Sequence, residues 1–194
     1  MIMKILILIA VVAVVAVMLN AGCAAVRAGY ESAPYNVVCP AGKFELRDYL
    51  ALVVVEAPML GANDSFMRLF RYIGGQNAAS ENFFMTTPVF MAGEKTNATM
   101  AFVLPQKMSL DRAPAPVGAD LRLREIVAGR FAVLRFRGGR NSGNETNALA
   151  KLETWIAQQN LKKAGGPIFG YFDPPWTPSF LRRNEVMLRL ATAP

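Results

Sequence analysis

The chemistry open to this chain is limited first by a residue it lacks: among 194 residues there is no histidine. That removes Ser-His-Asp and Cys-His nucleophilic catalysis, HExxH zinc sites and imidazole ligation of iron. Two cysteines are present, Cys23 and Cys39, without a CxxC pair, so a structural zinc site is excluded. The carboxylates Asp48, Glu56, Glu81, Glu125 and Glu185 show no paired motif of the kind general acid–base catalysis uses. Met85, Met91 and Met100 offer soft sulfur ligands for copper, but packing in a sheet core accounts for them more simply. The residues therefore point to binding rather than catalysis.

Charge narrows the partners. Lys and Arg number 21 against 14 Asp and Glu, a net charge of +7, which favours anions: phospholipid head groups, nucleic acid or an acidic small molecule. The basic residues are scattered, with no long run and no zinc-finger spacing, so nucleic acid is not the expected partner.

The N-terminus reads as an address. Ile5 to Leu19 is uninterrupted apolar sequence, preceded by Lys4 and followed by Asn20-Ala21-Gly22-Cys23. A positive start, an apolar run and then small residues is the pattern of a signal peptide. The run is short for a membrane-spanning helix, which needs about 20 apolar residues. Leu19-Asn20-Ala21-Gly22-Cys23-Ala24 also resembles a bacterial lipobox, in which the Cys is lipidated and becomes the first mature residue. The Leu stands one position further out than usual. An uncleaved signal anchor and a secreted chain with a Cys23–Cys39 disulfide remain as alternatives. The expected organisation is a leader over 1–22, a tether over 23–34 and one folded domain over 35–192, held outside the cytoplasm at the cell envelope.

The elements that must position any site follow from periodicity. Phe44 and Leu46 alternate with Glu45 and Arg47, and Leu52 to Val55 is a β-rich run. Asn63-Asp64-Ser65 offers helix N-caps ahead of Phe66, Leu69, Phe70 and Ile73, which places Phe66, Phe70 and Ile73 on the expected buried face. Strands are expected over Phe83–Met91 and Thr99–Leu104. A second helix is expected over Asn144–Gln159, with Leu149, Leu152 and Ile156 on one face. Further strands are expected near Ile168–Phe172 and Val186–Leu190. Leu121-Arg122-Leu123-Arg124-Glu125 echoes Phe44-Glu45-Leu46-Arg47-Asp48 at an offset of 123 − 46 = 77 residues. Internal duplication is the natural reading. The expected fold is α+β: duplicated ββαββ units forming a distorted, barrel-like sheet flanked by two helices.

Five stretches carry a resemblance to a known family. They are Tyr35 to Asp48, Tyr72-Ile73-Gly74-Gly75-Gln76-Asn77, Met85-Thr86-Thr87-Pro88-Val89, Met100 to Pro105, and Gly170 to Pro178 running into Arg182-Arg183-Asn184-Glu185-Val186. In this order they closely resemble the SOUL haem-binding protein family over about Gly29 to Leu190. The resemblance implies the duplicated fold just described and the binding of haem or another tetrapyrrole. It implies a groove beside the first helix of the domain, where Met67, Phe70 and Arg71 lie. There a thioether would cover the ring and a guanidinium would meet a propionate. Tyr171, Trp176 and Phe180 would form a second wall, with Arg182 or Arg183 at its mouth. The competing structural readings are a gap-filling Met67 and a turn locked by Pro174-Pro175 and Trp176. With no histidine, the haem would be held by apolar contact or by another ligand. The alternative to haem is another apolar or amphipathic small molecule, as for bacterial effector-binding domains of this architecture.

Overall fold

The computed structural model describes residues 2–59, 61–93, 97–118 and 120–191, with the side chains at 13, 16, 19, 20, 23, 24, 26 and 28 outside that description. The first element, α1, is a 27-residue helix over Ile2–Ala28. It is apolar on every side, and Ile2, Leu6, Val12 and Met18 are all exposed.

The folded unit begins sooner than the expected tether allows. A two-residue strand β1 (Glu31–Ser32) pairs in parallel with β5 (Thr86–Thr87). Ser32 and Thr87 hydroxyls meet at 3.0 Å, and Ala33 is buried. The threonine pair of Met85-Thr86-Thr87-Pro88 thus satisfies backbone and side-chain groups, with Thr86 also donating to Val103 O.

Among the described residues, nine strands form one curled antiparallel sheet. In chain order they are β2 (Tyr35–Ala41), β3 (Phe44–Tyr49), β4 (Leu52–Pro58), β6 (Val89–Ala92), β7 (Thr99–Val103), β8 (Arg122–Ile126), β9 (Gly129–Phe136), β10 (Ile168–Tyr171) and β11 (Asn184–Arg189). Their spatial order is β2-β3-β9-β11-β10-β6-β7-β4-β8. Two helices complete the domain: α2 (Ala62–Ile73) on β4 and β7, and α3 (Ser142–Gln158) on β9 and β11.

The order displays the duplication. One unit is β3-β4-α2-β6-β7 and the other is β8-β9-α3-β10-β11, and β6 pairs with β10 at their junction. Each unit, however, lends its first strand to the other. β3 pairs with β9, and β8 pairs with β4.

Helices cover one face of the sheet, and the curl closes over the other, so both faces of the central strands are buried. That is why Leu52–Val55 and Phe131–Leu134 are continuous apolar runs rather than alternating ones. Val53 and Val55 meet Leu69, Tyr72 and Ile73 of α2; Ala132 and Leu134 meet Ala148, Leu152 and Ile156 of α3. The odd partners, Leu52, Val54, Phe131 and Val133, fill the concave side with Tyr49, Phe90 and Met187.

Two helix details differ from expectation. On α2 the buried residues are Ser65, Leu69, Tyr72 and Ile73, and Phe70 is half exposed. The Ser65 hydroxyl donates to Pro58 O at 2.8 Å, which lets a small polar residue occupy the inner stripe and turns Phe70 outward. The N-cap position is Gly61, and no side chain caps the helix. On α3 the cap is Asn141, whose side-chain oxygen accepts from Asn144 N at 2.9 Å.

Candidate functional site

The sequence-derived site residues fall into two groups on the two halves of the domain. Met67, Phe70 and Arg71 lie on α2. Met67 is 44% and Phe70 48% exposed, and Phe70 stacks on Phe66. Arg71 lines a hollow of about 430 Å³ with Arg68, Tyr72, Gln76, Val117 and Asp120. Asp120 already pairs with Arg68 at 3.2 Å. Tyr72 spans the base of this half, donating to Pro114 O at 2.8 Å, and burial pushes its phenol up to about 12.

The second group lies at the α3 half. Tyr171 ends β10 and donates to Glu145 in the first turn of α3, so burial and the carboxylate both raise its phenol. Tyr171 therefore braces the helix. Arg182 donates to Thr177 O at 2.7 Å and to Pro175 O, locking the loop between β10 and β11. Trp176 and Phe180 project from that loop into open space. The structure thus does not join Arg71 to Arg182 and Arg183 around one groove, and it puts Trp176 and Phe180 in neither hollow.

What Arg182 and Arg183 do line is a cavity of about 600 Å³ between the end of β9, the first turns of α3, the β2–β3 turn and the β10–β11 loop. Seven basic side chains border it: Arg27, Lys43, Arg135, Arg137, Lys151, Arg182 and Arg183. Leu134, Phe136, Ala148 and Leu181 supply apolar wall, and no carboxylate is among the described lining. Gly138 beside it has φ +121°, and a Cβ there would lie 2.6 Å from the Asn144 amide, so only glycine lets the chain turn this tightly into α3.

Two of these cations, Arg135 and Arg183, also belong to a buried ion-pair network. Arg47 on β3 is wholly buried and bidentate to Glu185 on β11, with Nη1 to Oε2 at 2.7 Å and Nη2 to Oε1 at 2.9 Å. Glu45 accepts from Arg47 and Arg135, each at 2.7 Å, and Arg183 reaches Glu185 at 2.6 Å. Three guanidiniums thus face two carboxylates, one positive charge in excess. Burial alone would neutralise Glu185, but hydrogen bonds and charge from Arg47 and Arg183 hold it below the usual carboxylate range. Burial likewise works against charge on Arg47, and Glu185 outweighs it. Arg183 also lies over the Phe172 ring at 4.2 Å. Of the remaining cations, Arg27 is paired with Asp173 at 2.8 Å. Lys43, Arg137, Lys151 and Arg182 have no carboxylate partner among the described residues, and Arg182 is engaged by the carbonyls of Thr177 and Pro175.

This arrangement can bind, but the described residues offer little for metal ligation. No group of three His, Cys, Asp or Glu side chains is placed to hold a metal among them, and the cavity lining has no thiol, thioether or phenol. Cys39 is an exposed free thiol on β2, the edge strand. The seven-cation cavity is not visible in the sequence because its members come from five separate segments. The buried Arg47–Glu185 pair is not visible in the sequence because Arg47 lies within an alternation that reads as solvent-facing, and nothing local ties Glu185 to a strand 138 residues away.

The sequence pattern of the SOUL heme-binding protein family matches residues 30–189. The chain belongs to that family. It is a family of heme-binding proteins, not of enzymes. Solved structures show the same fold. The C-terminal domain of EcmrR is 16% identical with a TM-score of 0.51, over 82% of this chain and 99% of that one. Two Listeria innocua proteins, an uncharacterised conserved protein and a hydrolase, give TM-scores of 0.58 and 0.57 at 10% identity, over 79% of this chain and 94% of theirs. At these identities the likeness is one of fold alone. A comparison with curated proteins gives no match.

Proposed function

We propose that this SOUL-family chain is a membrane-tethered binding protein for haem or a related dianionic tetrapyrrole, held without histidine in the cavity beside α3. The observation that carries the reading is the seven-cation lining around an apolar wall, in a chain whose family is described as heme-binding. Propionates would meet Lys43, Arg137 and Lys151, three of the four lining cations without a carboxylate partner among the described residues; the fourth, Arg182, is engaged by loop carbonyls. The ring would lie against Leu134, Phe136 and Leu181, since burying flat hydrocarbon is favourable at about 25 cal/mol per Å². The cavity's size falls in the range of small-molecule sites. Nothing in its lining calls for iron.

The test is to titrate the protein with haem and with an iron-free porphyrin. Comparable affinities, within about tenfold or ~1.4 kcal/mol, are expected. Tight haem binding with no binding of the iron-free ring would require an axial ligand and overturn the reading.

A second reading keeps the notion of a groove beside α2. Met67 and Phe70 are half exposed next to Arg71, an apolar strip with a cation at its end. The same cavities would also accept other amphipathic anions, the alternative ligand class for this fold.

Tethering is supported by α1. A helix apolar on all sides is stable in a membrane or a large core, and here the flanks of α1 are exposed. Among the described residues no helix is long and apolar enough to cross a membrane, and the Cys23 side chain lies outside them. The lipobox-like Gly22-Cys23 supplies the other route, a lipid on Cys23 with the domain outside the cytoplasm.

A further inference from the structure

Trp176 and Phe180 are 80% and 62% exposed, on a loop that is anything but slack. Asp173 accepts from Arg183 N at 2.6 Å, Thr177 N donates to Pro174 O at 3.0 Å, and Gly138 N donates to Ser179 O at 3.1 Å. Arg182 ties the loop to itself at Thr177 O, and Pro174, Pro175 and Pro178 stiffen it further. A segment tied down in this way therefore presents two large aromatic side chains that the described residues leave largely uncovered.

The loop's position says what covers them. Arg27, in the last turn of α1, donates Nε to Asp173 at 2.8 Å and Nη2 to Leu181 O at 2.8 Å. Arg27 stands 27 − 23 = 4 residues beyond Cys23. Along a helix that is about 6 Å. A lipid on Cys23 and an uncleaved α1 would both bring the loop to the bilayer surface. Arg137 donates to Phe180 O at 3.4 Å and Arg182 to Thr177 O at 2.7 Å, bringing to the loop the charge that an anionic head-group layer attracts.

We propose that the Asp173–Leu181 loop is a membrane-docking element that sets Trp176 and Phe180 into the interfacial layer of an anionic bilayer. Indole and phenyl rings fit that layer, with an apolar body inward and cations on the phosphates. The inference rests on the tethering reading and goes beyond it. It fixes how the domain sits, with the loop whose end at Leu181 lines the cationic cavity held at the head groups, where an amphipathic anion would arrive.

The chain has two tryptophans, and the other, Trp155, is stacked on Phe44 at 5.2 Å. The full-length chain carrying Trp155→Phe is reconstituted with vesicles of phosphatidylcholine and phosphatidylglycerol brominated along the acyl chains. The expected result is that the protein floats with the vesicles and that Trp176 emission is blue-shifted and quenched. In the companion Trp176→Ala chain, Trp155 emission is expected to stay unquenched. Protein that floats while Trp176 emits as a water-exposed indole overturns the docking and leaves the tether standing. Protein that does not float overturns both. Equal quenching of Trp155 in the companion chain would show contact without this orientation and also overturns the proposal.

Discussion

Arg47 and Glu185, 138 residues apart, form a bidentate ion pair with no solvent exposure on either side chain. It joins β3, contributed by the first unit, to β11, the last strand of the second, although β9 lies between them in the sheet. Removing two charges from water is costly, so the pair contributes little net stability as a whole. Losing one partner is different, because the other stays buried and uncompensated.

Arg47→Met is therefore expected to destabilise the domain by about 3–5 kcal/mol. Arg47→Met combined with Glu185→Leu should recover part of that loss. Chemical denaturation of the single and double variants checks it, and a double variant as unstable as the sum of both singles would contradict the account.

Acid should weaken the fold through the same carboxylate. Glu185 is held below the ordinary value of 4.5 in the folded state, so its contribution is complete above that value and is lost as pH falls through the folded one. The melting temperature is expected to be steady down to about pH 5 and to drop below it. Glu185→Gln should be less stable at neutral pH and show a shallower acid limb. Thermal melts across the pH series provide the measurement.

Ligand binding should follow the unpaired cations. The double variant Lys43→Gln/Lys151→Gln is expected to weaken porphyrin binding about tenfold or more, since each charge-assisted hydrogen bond is worth roughly 1.5–3 kcal/mol. Both side chains are exposed and partner-free among the described residues, so stability should change by less than about 0.5 kcal/mol. Arg71→Ala separates the two grooves: unchanged affinity places the ligand beside α3, and a tenfold loss places it beside α2. Cys39→Ser should alter neither, as that thiol lies on the edge strand.

Anchoring has its own readout. Mass spectrometry of the membrane-extracted protein is expected to show a chain beginning at Cys23 with added acyl mass. A chain that keeps Met1 would mean that α1 stays in place as the anchor.

The duplication was legible in the sequence because alternation survives divergence: Phe44–Asp48 and Leu121–Glu125 still match, and both became the first strands of their units. Their exchange between units was not, because a period of two fixes which face a residue takes and says nothing of its neighbour. The same limit hid Arg47. Phe44 and Leu46 lie under α3, as the pattern implies, but the opposite face is covered too, so Glu45 and Arg47 are buried where water was expected. On α2, the small Ser65 disguised the inner stripe, and the larger Phe70 drew the reading one residue round the helix. The cationic cavity depends on five segments meeting at one end of the sheet, which no local pattern encodes.

The exchange of first strands also dictates when this protein can fold. β3 has no neighbour on its inner side until β9 exists, and β4 lacks one of its two neighbours until β8 does. Neither unit can complete its quartet alone, and β11 seals the larger one between β9 and β10 only near the end of the chain. So many distant pairings make for slow assembly. During synthesis the sheet therefore cannot close until β11 has been made.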